Sequence, residues 1–450
     1  MKIIKIASTL FPDRYKKYTT FEATYGFIAT ETGMLYLDPR YYTSAQAAGI
    51  AFEPISKMPR ENCILDPFEW TISEIARFQF VNPRFEYYED YDLEDGIELG
   101  SIEIIGDFLE ANPGKQYLAT NMSTIRKPTH ALVFSEDGII TPLVDGANVL
   151  FDPDITPVAY ASKLEVQNVS QNAIIDPIRA ADAIITDIDN YKKFLLNDAI
   201  AWMNFWQKLV CGITEIDAAN ILESERKKIH GKSYEPAFET IAGNNENAAK
   251  IHGRATDKII EDGVLLVDAG SKLGQHISDI TRVFLFNIAD EQTKVAYTNT
   301  LKAYIAVATA NFAQTTPGKY LDELARKYVH FDHALGHAVG KTDVHAFPAI
   351  RSDTTAPLKR NMVLAIEPGI YVPGTFGIRL EGQMRVVENA QNFELEQLVF
   401  IPFEYDLVDE TLLDENELAW LSKYHKICYN NLREYVDIEF LKQKVDRFIN

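Results

Sequence analysis

Two apolar runs in the second half of the chain, Gly263-Val-Leu-Leu-Val-Asp268 and Thr281-Arg-Val-Phe-Leu-Phe286, limit what it can fold into more than any other feature. Both are short and rich in residues that fill buried strands, so they read as hairpin neighbours. The first ends on Asp268. Asp279 stands eleven residues later, in Ser278-Asp279-Ile-Thr-Arg, where the partner strand would begin. Two carboxylates held side by side in a buried sheet repel each other, and burial further disfavours their charge. A hard divalent cation with oxygen ligands resolves that conflict.

Three further frames carry the same chemistry. In His333-Ala-Leu-Gly-His337-Ala-Val-Gly, glycines flanking a histidine permit close backbone approach, and His337 offers a nitrogen ligand. Ala365-Ile-Glu367-Pro-Gly-Ile-Tyr371 ends one strand on an acid, and Gly377-Ile-Arg379-Leu-Glu381 ends the next. Any one of these acids alone reads better as a solvated strand end or a salt-bridge partner. Five in order do not. Four carboxylates and one imidazole suit two metal ions sharing bridging oxygens.

A chain of 450 residues exceeds the usual single-core limit and predicts two or more domains. With 46 % hydrophobic and 24 % charged residues, the composition is that of a globular protein with ample core. The formal net charge of −21 excludes the basic footprint that nucleic-acid binding needs. Its one local concentration, Glu86, Glu89, Asp90, Asp92, Glu94, Asp95 and Glu98, reads as a solvated loop. Cys63, Cys211 and Cys428 are far apart and form no CxxC pair, so neither a disulfide framework nor a thiolate zinc site is expected. No window is long and apolar enough to cross a membrane, and the N-terminus shows no leader pattern; no membrane partner and a cytoplasmic location are expected.

Residues 1–175 mix strand-like and helical runs, predicting an α/β domain. Gly33–Asp38 and His130–Phe134 read as strands, and Phe68–Phe78 as an amphipathic helix. From Asp176 to Leu209 the pattern predicts one or two helices, followed by another capped by Thr214, so that 176–230 connects and buttresses the domains. Strands then alternate with helices predicted over Val295–Ala313 and Tyr320–His330.

The ordered set of five ligands strongly resembles the proline-specific metallopeptidases, aminopeptidase P and prolidase, within the methionine aminopeptidase and creatinase superfamily. The resemblance runs from Phe238-Glu-Thr-Ile-Ala-Gly-Asn-Asn-Glu-Asn to Val387. It continues through Ile401-Pro-Phe-Glu-Tyr-Asp and Glu417-Leu-Ala-Trp-Leu-Ser-Lys-Tyr-His425, which are similar to the C-terminal extension of larger aminopeptidases P. Leu37-Asp-Pro-Arg-Tyr-Tyr-Thr-Ser-Ala is similar to a strand-and-helix segment of the family's N-terminal domain.

The resemblance implies a creatinase-like α/β domain over 1–175. It implies a pita-bread α+β catalytic domain over 176–388, with a curved antiparallel sheet, and an extension over 389–450 used for dimer contacts. Asp268 would then chelate one metal, Asp279 and Glu381 would bridge both, and His337 and Glu367 would hold the second. A water acidified between the cations would attack the scissile carbonyl. Glu367 would also shuttle the proton to the leaving nitrogen. His252 and His345 match positions that hydrogen-bond the substrate carbonyl or its oxyanion. His333 and Tyr371 match pocket positions, and Arg379 one that supports the carboxylates. The implied cofactors are two divalent cations, with Mn²⁺ first and Co²⁺, Zn²⁺ or Fe²⁺ open. The implied activity removes the first residue from peptides with proline second; prolidase and a catalytically silent peptide-binding relative are the alternatives. A homodimer is expected.

Three departures stand out. The His337-to-His345 spacing lies between those of the shorter and larger aminopeptidases P. Ala346 follows His345 where an acid is usual, and Gly382 follows Glu381 where an acid or amide is usual.

Overall fold

The structure is a computed structural model. It describes residues 1–6, 14–21, 23, 25–67, 69–85, 110, 113–120, 131–135, 140–142, 147–153, 155–164, 182–354 and 356–449. The acidic run from Glu86 to Glu98, together with Phe68, His130 and the 175/176 boundary, lies outside them. The chain divides into two compact units, Met1–Ala181 and Asp182–Asn450.

The first unit carries a four-stranded sheet in the order Ile3–Ile6, Gly26–Ala29, Met34–Leu37, Phe52–Pro54, antiparallel except for its last pair. After Leu37 the chain turns through Pro39–Tyr41 into the helix Tyr42–Ala47, the strand-and-helix start expected there. A second antiparallel sheet joins Gln116–Thr120, Ala131–Ser135 and Ile140–Pro142. The helix expected from Phe68 starts at Ile72, because Thr71 caps it: its hydroxyl accepts from the Glu74 N–H and Glu74 bonds back.

In the second unit the first described long helix is Ile188–Lys208, with the Asp187 side chain as cap. Tyr191, Leu195, Asp198, Trp202, Phe205 and Trp206 recur every three or four residues on its buried face. Trp202, Phe205 and Trp206 close on Phe284 at ring distances of 6.1, 5.4 and 5.1 Å. The helix thereby packs against the strand Ile280–Phe286. Thr214 caps the next helix, Glu215–His230, through a capping box with Asp217, as expected.

The strands Ile241–Asn244, Gly263–Ala269 and Ile280–Phe286 form one antiparallel sheet. A curled six-stranded antiparallel sheet runs in the order Asn311–Ala313, Asn392–Gln397, Gly382–Asn389, Val363–Ile366, Gly336–Ala338, Ala346–Ile350. A hairpin of Gly369–Val372 and Phe376–Arg379 is inserted in sequence between two strands of that sheet, Val363–Ile366 and Gly382–Asn389.

Two expected helices are shorter. The one predicted over Val295–Ala313 spans Glu291–Ala308, started by an Asp290 cap, while Asn311–Ala313 pairs as a strand with Asn392–Glu394. The one predicted to His330 ends at Ala325. Arg326 draws the following turn inward by donating to the Phe331 and His333 carbonyls.

Candidate metal centre

Sheet register sets the distance between the first two acids. Asp268 is the penultimate residue of its strand and lies opposite Thr281, two residues beyond Asp279. Strand alternation puts Asp279 and Thr281 on one face. Asp279 lies in the turn before Ile280, and its N–H donates to Gln383 Oε1 at 3.2 Å. Glu381 sits between the strands Phe376–Arg379 and Gly382–Asn389. Its N–H donates to the Thr281 carbonyl, and its Oε2 accepts from the Thr281 hydroxyl at 2.6 Å. Glu367 follows the strand Val363–Ile366, held by its N–H to the Leu335 carbonyl.

His337 lies inside a strand rather than at its end, next to Gly336. A Cβ on Gly336 would come within 1.9 Å of the Ala365 carbonyl oxygen, so only glycine lets these strands close. His337 Nε2 stands 3.4 Å from Asp279 and 4.0 Å from Glu367, and Nδ1 faces the Ala338 carbonyl at 3.0 Å. One ligand atom each from Asp279, His337 and Glu381 falls within 4.8 Å of the others, all three residues buried. Asp268 and Glu367 join this group through Arg379, whose Nη2 donates to Asp268 at 2.6 Å and whose Nε lies 4.0 Å from Glu367.

Arg379 is 1 % exposed and also reaches the Thr281 hydroxyl, the Tyr371 hydroxyl and the Ile251 carbonyl. Tyr371 in turn meets His333 Nε2 at 2.9 Å. The His345 ring packs 4.5 Å from that of His337 and is exposed. His252 is exposed, one residue beyond the Ile251 carbonyl.

The electrostatics match a site built for cations. Burial, and then the neighbouring carboxylates, hold Glu381 well above the usual carboxylate range. Burial pushes Glu367 up to about 7, opposed by His337 and Arg379. Burial likewise raises Asp268 to about 6 against the pull of Arg379. Burial would lower His337, but the Asp279 contact and the charges of Asp279 and Glu367 win and push it up to about 9. Among the described residues Asp268 Oδ1 is buried without a hydrogen-bond partner, a cost of about 1–3 kcal/mol that a bound cation would remove. Four carboxylates and one imidazole, with Arg379 paired to Asp268 beside them, form an oxygen-dominated donor set that fits two hard divalent cations.

Several supporting residues were not anticipated. Thr281 links Asp268, Glu381 and Arg379, and the period of two from Asp279 is the signal that could have found it. Gln383, Tyr191 and Asp198 carried no such signal.

The sequence profile of metallopeptidase family M24 matches residues 189–388, and that of the C-terminal region of peptidase M24 matches 391–448. Together they cover more than half of the chain, and it belongs to this family. Aminopeptidase P2 of Arabidopsis thaliana is 31 % identical over 278 residues, 55 % of this chain and 39 % of that protein. A probable Xaa-Pro aminopeptidase P of Sordaria macrospora is 29 % identical over 362 residues, 72 % of this chain and 58 % of its own. The chain spans about half the length of the curated relatives it matches. Among solved structures, X-prolyl aminopeptidase of Caenorhabditis elegans, a cytosolic enzyme with a di-nuclear active site, superposes with a TM-score of 0.78. The match has 18 % identity and covers 99 % of this chain and 95 % of that one. The prolidase of Pyrococcus horikoshii gives a TM-score of 0.51 at 23 % identity over 67 % of this chain and 99 % of its own. The fold is thus an α/β unit followed by the pita-bread α+β unit with its curled antiparallel sheet. Among the described residues no helix is long and apolar enough to cross a membrane.

Proposed function

We propose that this chain is a metallo-aminopeptidase that releases the N-terminal residue from peptides with proline in second position. The observation that carries this reading is the buried group of Asp279, His337 and Glu381, with Asp268 and Glu367 beside it and Arg379 as their buried cation. The names of the family's Xaa-Pro aminopeptidase P relatives support the substrate class.

In this reading Asp268, Asp279, His337, Glu367 and Glu381 would hold two divalent cations. When bound, the cations lower the pKa of a water and polarise the peptide carbonyl. The chain's residues do the rest. Glu367, one-fifth exposed, is placed to accept a proton from the attacking water and pass it to the leaving imino nitrogen. His345 and His252 donate to the carbonyl oxygen as it gains charge. His333 and Tyr371 line the substrate side, and Arg379 fixes Asp268. We further propose Mn²⁺ as the metal, a homodimer assembled through the tail from Asn389, and a cytoplasmic location.

A peptide panel tests this. Xaa-Pro-Xaa peptides should be cleaved after the first residue in added Mn²⁺, and peptides lacking proline should not. Hydrolysis of Xaa-Pro dipeptides alone would make the chain a prolidase. Protein purified without chelator that holds no divalent metal and gains no activity with Mn²⁺ would end the reading.

A further inference from the structure

We propose that Asp198, on the helix Ile188–Lys208, is a positioning residue for Asp268 and Asp279, acting through Ser271 and Ser278; the inference rests on the metal-centre reading above. Asp198 is fully buried, and both of its oxygens are engaged. Oδ1 accepts from the Ser271 hydroxyl at 2.7 Å and Arg226 Nε at 3.0 Å, with His230 Nε2 at 3.4 Å. Oδ2 accepts from the Ser278 hydroxyl at 2.6 Å and Arg226 Nη2 at 3.1 Å.

These contacts fall beside the metal-site aspartates. Ser278 precedes Asp279. Arg226 Nη2 also donates to the carbonyl of Ala269, which follows Asp268. The two serines lock to each other, the Ser271 N–H donating to Ser278 Oγ at 2.8 Å and the Ser278 N–H to the Ser271 carbonyl at 2.9 Å. One carboxylate therefore pins both arms of the Asp268–Asp279 hairpin where they leave the site.

A second contact from the same helix face strengthens the grip. Tyr191, two turns before Asp198, donates to the Ile277 carbonyl at 2.6 Å and accepts from Gln383 Nε2 at 2.8 Å. Gln383 Oε1 in turn takes the Asp279 N–H. Ile277, Ser278 and Asp279 are thus each held from outside the centre by a chain of contacts that begins on one helix. A buried ion pair gives little net stability compared with apolar packing of the same volume. Its use here is directional, since metal ligands must stay within about 0.5 Å of their working geometry.

The test uses Ser278→Ala and Asp198→Asn, with Leu421→Ala as a control for lost stability, since Leu421 is buried in the helix Glu415–Leu432, which supplies none of the hydrogen bonds that hold Asp198, Ser271 and Ser278. Mn²⁺ affinity of the chelator-stripped chain is read by calorimetry, beside far-UV circular dichroism, Tm and steady-state kinetics. Positioning predicts Mn²⁺ binding weakened about 10–100-fold in both variants. It also predicts a fallen kcat at a KM within threefold of wild type, and a Leu421→Ala variant that loses Tm but binds Mn²⁺ normally. Affinities within twofold of wild type would overturn it and leave the cluster a plain packing element. Should Asp198→Asn fail to fold, Ser278→Ala decides alone. If the wild-type chain itself binds no Mn²⁺, the metal-centre reading falls and this inference with it; if wild type binds and the variants match it, positioning alone is wrong.

Discussion

Arg379 donates from Nη2 to Asp268 Oδ2 at 2.6 Å and leaves the other carboxylate oxygen, Oδ1, buried and without a hydrogen-bond partner among the described residues. The guanidinium neutralises one of the crowded acids while keeping half of that acid free. A cation is the chemically reasonable partner for the free half. The same guanidinium ties the Tyr371 hydroxyl and Thr281 to the group, so its planar fork orients three neighbours at once.

Arg379→Lys should therefore cost more than its conserved charge suggests. A lysine ammonium has no fixed fork and cannot meet Asp268, Thr281 and Tyr371 in their present directions. We expect kcat/KM on an Xaa-Pro-Xaa peptide to fall by at least tenfold, or about 1.4 kcal/mol of transition-state stabilisation. Steady-state kinetics check this; an effect below threefold would show that charge alone matters.

The acids predict how the metal-free protein responds to pH. Burial raises Glu367 from 4.5 to about 7 and Asp268 from 3.8 to about 6, while Asp279 raises His337 from 6.5 to about 9 against the opposing effect of burial. In each case the folded state binds protons more tightly than the unfolded chain. Their stabilising contribution is complete below the unfolded values and is lost as pH rises through the folded ones. Stripped protein should lose Tm progressively from about pH 4 to pH 9. Because cations compete with these protons, Mn²⁺ should raise Tm most at the alkaline end and release protons on binding. Thermal melts across that range, with and without Mn²⁺, check the sign. A metal-induced Tm gain that grows toward acid pH would contradict it.

The five proposed ligands were legible because strand period, terminal acids and flanking glycines are local signals. Thr281 was within reach of the same logic, as the next inward-facing residue after Asp279. Asp198 was not, since its partner Ser278 lies 80 residues away and nothing in a helical pattern distinguishes a buried, paired aspartate from a solvated one. The shortened helices failed for a related reason. Asn311–Ala313 is a strand only because Asn392–Glu394 lies alongside it, and the turn after Ala325 is closed by Arg326 bonding to carbonyls farther along the chain. Propensity sees neither partner.

Gly382 departs from the family's usual acid or amide, and packing explains why. A Cβ there would meet the Tyr304 hydroxyl at 2.5 Å and Gln397 Nε2 at 3.3 Å. Tyr304 is fully buried, and its hydroxyl is bonded to Gln397, so it has little room to retreat. Gly382→Asn, although it approaches the family pattern, should destabilise the chain by about 1–3 kcal/mol through overpacking. Tyr304→Phe should recover part of that loss in the double variant, since the two sites are in contact. Denaturant titration of the four proteins gives the coupling; strictly additive losses would place the clash elsewhere.

The other departure, the loop from His337 to His345, is anchored by Asp182. Its Oδ1 accepts from the N–H groups of Lys341 and Thr342 at 3.2 Å each, and its Oδ2 accepts from the Thr342 hydroxyl at 3.0 Å. Gly340 permits the approach, since a Cβ there would lie 1.9 Å from Asp182 Oδ2. The return strand then enters with a register shift, Ala338 facing Ala346 after His337 faces Ala349. Ala346 thus occupies a pairing position at the start of that strand, and the His345 ring lands beside His337. If His345 acts on the carbonyl oxygen, Asp182→Ala and His345→Ala should damage the same step. Each should lower kcat by about 10–100-fold, toward the range seen for loss of an oxyanion donor. Mn²⁺ affinity should stay within twofold, because neither residue is among the five proposed ligands. The double variant should then be scarcely worse than His345→Ala alone, since the anchor has no further effect once the ring is gone. Multiplicative losses in kcat would show instead that Asp182 shapes the site by a route independent of His345.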